Sequence, residues 1–280
     1  KGLTHGGGRR EALLFYKAAE HKVIIKDTAM DYVEFGYGSR PLIILPGLGD
    51  GLRTVHGQAV NLAFYYRKIA PYYRVYIFSR KNKLEEGCTT KDMAEDLWLA
   101  LEQLRPWNTE KIYLMGISQG GMIAQHFAIA HPDIVEKLVL GVTASRQNEI
   151  LKNAVTGWME MAAKGDYRSL MTDTSEKTYS LKTLKKYRPL YPLLCRVGKP
   201  EDFSRFLIQA ESCLTHNAYE ELSGISCPVL ILGGGDDKIV GTDAAPEMAE
   251  KIKQCKMIIY EGLGHGAYDE TEDFNRQVMD

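Results

Sequence analysis

The stretch at residues 111–130, KIYLMGISQGGMIAQHFAIA, leaves the backbone very few paths. Residues 111–115 form a short apolar run with a β-branched residue and an aromatic, and from Met122 onward apolar residues recur at helical spacing. A buried strand therefore passes abruptly into a helix. The join is Gly116-Ile117-Ser118-Gln119-Gly120-Gly121. Turning a strand into a helix within about five residues forces the central residue into a strained conformation, and neighbours without side chains are needed to let the two backbones pass. Gly116 and Gly120 meet that need, and Ser118 stands at the apex with its hydroxyl exposed.

The surrounding chain repeats the same rhythm. Apolar runs at 41–45 (PLIIL), 74–79 (RVYIFS), 137–142 (KLVLGV), 228–232 (PVLIL) and 256–260 (KMIIY) alternate with helical stretches at 54–70, 90–104, 243–253 and from Glu270. Such alternation implies a largely parallel sheet with helices on both faces. Residues 11–20 read as a short helix, and runs 21–26 and 30–37 suit an antiparallel hairpin near a sheet edge. Between Thr143 and Gly224 the rhythm breaks: 152–164, 167–172, 181–187 and 202–215 read as helices with no convincing strand among them. The predicted organisation is a tail and short helix at 1–20, an α/β core at 21–142 and 225–280, and a helical insertion at 143–224. A chain of 280 residues can bury one large core plus a modest insertion.

Composition narrows the partners. A formal net charge of −1 leaves no basic excess to attract nucleic acid or an anionic membrane. No apolar stretch reaches the roughly 18 residues of a membrane span, and the N-terminal KGLTHGGGRR has no apolar core for a signal peptide. Cys88, Cys195, Cys213, Cys227 and Cys255 are odd in number, widely spaced and free of C-x-x-C, which points to reduced, mostly buried thiols in a cytoplasmic protein rather than disulfides or a zinc site. No H-E-x-x-H or Walker pattern calls for a metal or organic cofactor. The expected state is a monomer or homodimer.

The G-x-S-x-G string, lodged between a buried strand and a helix, resembles the nucleophile elbow of the α/β-hydrolase family. The resemblance runs from about His21 to the C-terminus and is weakest in the insertion. It implies a doubly wound, mostly parallel sheet of eight strands with one antiparallel, and it makes the insertion a helical cap. It also implies a serine nucleophile followed along the chain by an acid and then a histidine.

A serine hydroxyl needs a base to take its proton during attack, and histidine is the usual base. Of seven histidines, His265 alone lies in a loop just past the last strand, in Gly262-Leu263-Gly264-His265-Gly266, where flanking glycines let it bend back over the sheet edge. Asp236 and Asp237 both follow the strand at 228–232. In family members the acid is followed by a variable residue and two apolar ones, a frame that Asp237-Lys238-Ile239-Val240 fits. The resemblance thus makes Ser118 nucleophile, His265 base and Asp237 its orienting acid. Attack creates an oxyanion that needs two preset N–H donors. The elbow supplies Gln119, at the start of a helix where free donors and the dipole converge. The second donor falls on Leu48, after Gly47; Pro46 stands where the family places histidine.

Relatives that open epoxides or displace halide carry Asp at the elbow, so Ser118 points instead to hydrolysis of esters, thioesters, lactones or amides, carbon–carbon hydrolysis of diketones, or perhydrolysis. The expectation is a carboxylic ester hydrolase acting on a small-molecule acyl substrate. Gly47, Asp50 and His56 near the oxyanion loop, with Met159, Met161, Tyr179, Tyr187, Tyr191 and Tyr219 in the insertion, are candidates to line its pocket. Two rivals are an S33-type aminopeptidase, whose insertion carboxylates Glu160, Glu176, Glu201 or Glu211 would hold an amine, and a slow-turnover ligand sensor.

Overall fold

The computed structural model describes residues 15–105 and 111–280. Eight strands form one sheet: β1 (Ala19–Ile25), β2 (Thr28–Phe35), β3 (Arg40–Leu45), β4 (Tyr73–Lys81), β5 (Ile112–Ile117), β6 (Val135–Gly141), β7 (Val229–Gly234) and β8 (Cys255–Tyr260). Their order is β1-β2-β4-β3-β5-β6-β7-β8, with β2 antiparallel to both neighbours and every pair from β4 to β8 parallel. The chain leaves β3 towards β4 and later returns to the other side of β3 for β5. Connections therefore diverge between β3 and β5, and such a switch point opens a crevice at the carboxyl ends of the strands.

The helices are α1 (Ala59–Tyr65), α2 (Thr90–Leu104), α3 (Gln119–Ala130), α4 (Glu149–Ala163), α5 (Tyr167–Thr178), α6 (Leu181–Tyr187), α7 (Tyr191–Leu194), α8 (Ser204–Thr215), α9 (Ala244–Lys251), α10 (Ala267–Glu270) and α11 (Glu272–Met279). Alternate residues of β3 feed opposite faces of the sheet, as the pleat requires. Ile43 and Leu45 join Leu97, Phe127 and Met248 of α2, α3 and α9, while Leu42 and Ile44 join Ala59, Ala63 and Phe274 of α1 and α11. A third core packs α4 and α8 onto Met122, Ile239 and Val240 beside the elbow. Helices α4 to α8 all lie between β6 and β7, and a bridge from Arg146 to Asn217 draws the two ends of this insertion together.

Several expectations shift. Of the helix expected at 11–20, residues 11–14 lie outside the described residues, and Ala19 and Glu20 already pair in β1. The helix expected at 54–70 shrinks to α1, because Gly57 turns with a φ of +78° and the chain leaves α1 in successive turns. The last helix divides at Thr271, whose hydroxyl accepts from the Asp273 amide and starts α11 afresh. All five thiols are free, yet only Cys213 and Cys227 are buried; Cys88, Cys195 and Cys255 are half-buried. Among the described residues no helix is long and apolar enough to cross a membrane.

Candidate active site

Ser118 sits between the last residue of β5 and the first of α3 with φ 53° and ψ −119°. A non-glycine residue held there costs on the order of 1–3 kcal/mol, so the surroundings must impose it. They do so by close approach. A Cβ on Gly120 would lie 2.0 Å from the Leu45 carbonyl oxygen, and one on Gly116 would lie 2.3 Å from that of Gly120. The Ser118 amide donates to the Gly141 carbonyl at 2.9 Å, and the Ser118 carbonyl accepts from the Thr143 hydroxyl at 2.7 Å.

The hydroxyl meets the two residues that the family resemblance paired with it. Ser118 Oγ is 3.0 Å from His265 Nε2, and His265 Nδ1 is 2.9 Å from Asp237 Oδ2. The other oxygen of Asp237 accepts the amides of Ile239 and Val240 at 2.8 and 2.9 Å, which pins the carboxylate in one rotamer. Asp237 and His265 are buried, whereas Ser118 is only partly covered. Asp236 points to solvent. A hydroxyl, an imidazole and a fixed carboxylate in one hydrogen-bonded row can transfer a proton as the hydroxyl attacks.

Ser118 and His265 open on a cavity of about 480 Å³ that lies at the switch point. Gly47 and Leu48 form part of its wall, and a Cβ on Gly47 would sit 3.3 Å from that of Ser118. Leu48 opens a 3₁₀ turn over Leu48–Gly51 and Gln119 opens α3, so both amides precede the first helical hydrogen bond. The Gln119 side chain turns away from the cavity to Arg80, Gln209 and Ser212.

The remaining wall differs from the expected one. It is built by Leu62, Tyr65 and Tyr66 around α1, Trp158 of α4, Thr174 and Thr178 of α5, Ile239, Tyr268, and the polar trio Arg53, Thr54 and Gln58. Burial pushes the Tyr268 phenol up to about 12, so it stays protonated. The insertion does contribute, but through Trp158 and two threonines rather than through Met159 or the tyrosines. Met159 packs into the α4–α8 core, Tyr179 donates to Asp269 and meets Tyr187 edge-on, and Tyr191 donates to Glu176. Tyr219 lies under Arg146 and Lys251 and is not part of this wall. His56 is exposed with Nδ1 3.2 Å from Glu20. Asp50 reaches the wall, although its carboxylate is engaged by Arg205 at 2.6 Å. None of Glu160, Glu176, Glu201 or Glu211 lines the cavity, and Glu176 is held by Arg188. Only the proximity of Arg53 and Thr54 to the Gly-rich loop could have marked them in the sequence.

The chain resembles known proteins along almost its whole length. It is 26% identical over 275 residues to a 2-hydroxy-6-oxononadienedioate/2-hydroxy-6-oxononatrienedioate hydrolase of Paraburkholderia xenovorans, covering 91% of this chain and 90% of that one. To a pimeloyl-[acyl-carrier protein] methyl ester esterase of Vibrio campbellii it is 22% identical over 250 residues, covering 84% and 95%. The crystal structure of MGS-M2, an α/β hydrolase from a Medee basin deep-sea metagenome library, superposes with a TM-score of 0.79 at 21% identity, covering 92% and 96%. The sequence pattern of the alpha/beta hydrolase fold matches residues 40–272, and with that sheet order and that elbow the chain belongs to the α/β-hydrolase fold family.

Proposed function

We propose that the protein hydrolyses a small carboxylic ester, thioester or lactone through an acyl-enzyme on Ser118. As Oγ attacks the carbonyl carbon, its proton passes to His265 Nε2, and the Asp237 carboxylate stabilises the imidazolium through Nδ1. The carbonyl π pair moves onto oxygen, where the amides of Leu48 and Gln119 receive it. Collapse expels the alkoxide, which takes the proton from Nε2. A water then repeats the sequence against the acyl carbonyl and releases the acid. The helices between β6 and β7 act as a cap that supplies Trp158, Thr174 and Thr178 to the acyl pocket.

The observation that carries this reading is the single row from Asp237 through His265 to Ser118 at the mouth of the cavity. A chain-length series of p-nitrophenyl esters tests it on the parent and on Ser118→Ala. The variant should lose at least about 10³-fold in kcat with Tm within a few degrees. Equal turnover by both proteins would remove Ser118 as nucleophile.

Arg53 favours a second reading, hydrolysis of a carbon–carbon bond in a 2-hydroxy-6-oxo dienoate of the kind named for the Paraburkholderia relative. Among the lining residues Arg53 is the permanent cation, and it makes no ion pair among the described residues. A carboxylate on the substrate would pair with it. If this reading holds, a synthetic 2-hydroxy-6-oxo dienoate is consumed at least tenfold more efficiently than p-nitrophenyl butyrate, and Arg53→Gln narrows that ratio. A parent that leaves the dienoate absorbance unchanged excludes it.

A further inference from the structure

A buried charged network lies directly behind the loop that carries Leu48. Its centre is Asp50, in the 3₁₀ turn Leu48–Gly51. Asp50 Oδ2 accepts from the Arg80 amide at 3.1 Å, from Gln209 Nε2 at 3.1 Å and from Arg205 Nη2 at 2.6 Å. Arg205 also donates Nη1 to the Asp50 carbonyl, Nε to the Lys81 carbonyl at 3.0 Å and Nη2 to the Arg80 carbonyl at 2.9 Å. Arg80 in turn donates Nη2 to the Pro46 carbonyl at 2.5 Å and to Gln119 Oε1 at 2.9 Å. Gln119 Nε2 closes the circuit on the Gln209 carbonyl at 2.9 Å and Ser212 Oγ at 3.0 Å.

Three elements far apart in sequence are thereby fastened together: the turn bearing Leu48, the elbow bearing Gln119, and α8. The backbones are tight as well, since a Cβ on Gly51 would lie 2.7 Å from Phe206 Cα. Burial alone would raise the Asp50 carboxyl, but the Arg205 and Arg80 charges, together with hydrogen bonds from the Ser79 hydroxyl and the Arg80 amide, hold the group below its ordinary range, so the network stays charged at neutral pH. Helices α6 and α7 differ sharply, with Leu181, Leu193 and Leu194 exposed.

We infer that Arg205 is a positioning residue for the oxyanion loop: from α8 of the insertion it fixes, through Asp50, the turn whose first amide is that of Leu48. The insertion then has two parts. Helix α8 completes the core machinery, and the rest forms a wall over the substrate. This rests on the reading of the Leu48 and Gln119 amides as oxyanion donors, and the test separates the two.

Arg205→Met, Arg205→Lys and Ser212→Ala are compared with the parent in three measurements. The first is kcat and KM on p-nitrophenyl butyrate. The second is inhibition by a trifluoromethyl ketone, whose adduct with Ser118 bears an oxyanion. The third is amide hydrogen exchange over residues 46–52 against residues 112–117. We expect Arg205→Met to lose 10- to 100-fold in kcat with KM within threefold. The ketone should weaken by the same factor, and exchange at 46–52 should rise at least tenfold while 112–117 stays protected. Arg205→Lys should recover part of each effect. A fall in Tm with kcat, inhibition and loop exchange unchanged overturns the inference. Should Arg205→Met fail to fold, Arg205→Lys and Ser212→Ala carry the same comparison, Ser212→Ala with a smaller parallel loss. Should the parent neither turn over the ester nor bind the ketone, the hydrolase reading fails, and loop exchange alone decides the role of Arg205: unchanged exchange overturns it.

Discussion

Asp236 and Asp237 are adjacent carboxylates with opposite fates, and burial with hydrogen bonding separates them. Asp237 spends one oxygen on two backbone amides and offers the other to His265, while Asp236 faces water. Under the mechanism proposed above, Asp237→Asn keeps the shape but places an amide where a carboxylate would hold the His265 tautomer, so kcat should fall by about 10³- to 10⁴-fold. Asp236→Asn should stay within twofold. Steady-state kinetics of the two variants on one p-nitrophenyl ester check the assignment. At this scale the sequence was informative where backbone geometry restricts residue type. Ser118 needed Gly116 and Gly120 beside it, and the frame after Asp237 matched a known pattern. Arg53, Gln58 and Trp158 left no such trace, because a cavity wall takes any side chain that points the right way. The aromatic and methionine residues of the insertion were indistinguishable from ordinary packing residues, and Met159 is one.

Among elements, β5 and α3 were legible because the change from strand to helical period falls on a glycine-flanked serine. The helix expected at 54–70 was too long for an instructive reason. Val55, Ala59, Ala63, Tyr66, Ile69 and Ala70 all enter one core. Their spacing reflects burial, and turns satisfy it as well as a helix does. The joint where α8 returns to the sheet makes a prediction of its own. His216 closes α8, buried, with Nδ1 2.8 Å from the Thr90 hydroxyl and Nε2 3.4 Å from Gln125 Oε1. Burial, with His126 ring-to-ring at 5.0 Å, pulls its pKa down to about 3 from 6.5. Between those values the unfolded chain binds more protons than the folded one, so stability is full above about pH 6.5 and drains away as pH falls towards 3. The contribution is on the order of a few kcal/mol. Urea unfolding at pH 7.5, 6.0 and 5.0 should show the decline, with a flatter slope for His216→Gln.

The whole molecule gathers the groups of the candidate site from separate strands. Ser118 follows β5, Asp237 follows β7, His265 follows β8 and Leu48 follows β3, so parallel strands deliver all four to one end of the sheet. That convergence was legible only as a consequence of alternating strands and helices. The order β4-β3-β5, which creates the crevice, depends on pairings between distant segments that no local pattern encodes. The link between α7 and α8 offers a way to test how the parts cohere. Arg196, Val197 and Lys199 are exposed there, and exposed loop sites are the preferred places of proteolytic nicking. Brief trypsin treatment should cut first at Arg196, because the bond after Lys199 leads into Pro200 and resists trypsin. The p-nitrophenyl ester turnover proposed above should stay within twofold of the parent and the gel-filtration volume within about one-tenth, and loss of that turnover at the first cut would contradict this. The cut divides Ser118 from Asp237 and His265. On the hydrolase reading proposed above, each half would be chemically silent by itself and turnover would return only on reassociation, so the bent serine and its distant partners would amount to a latent two-piece reporter of molecular encounter.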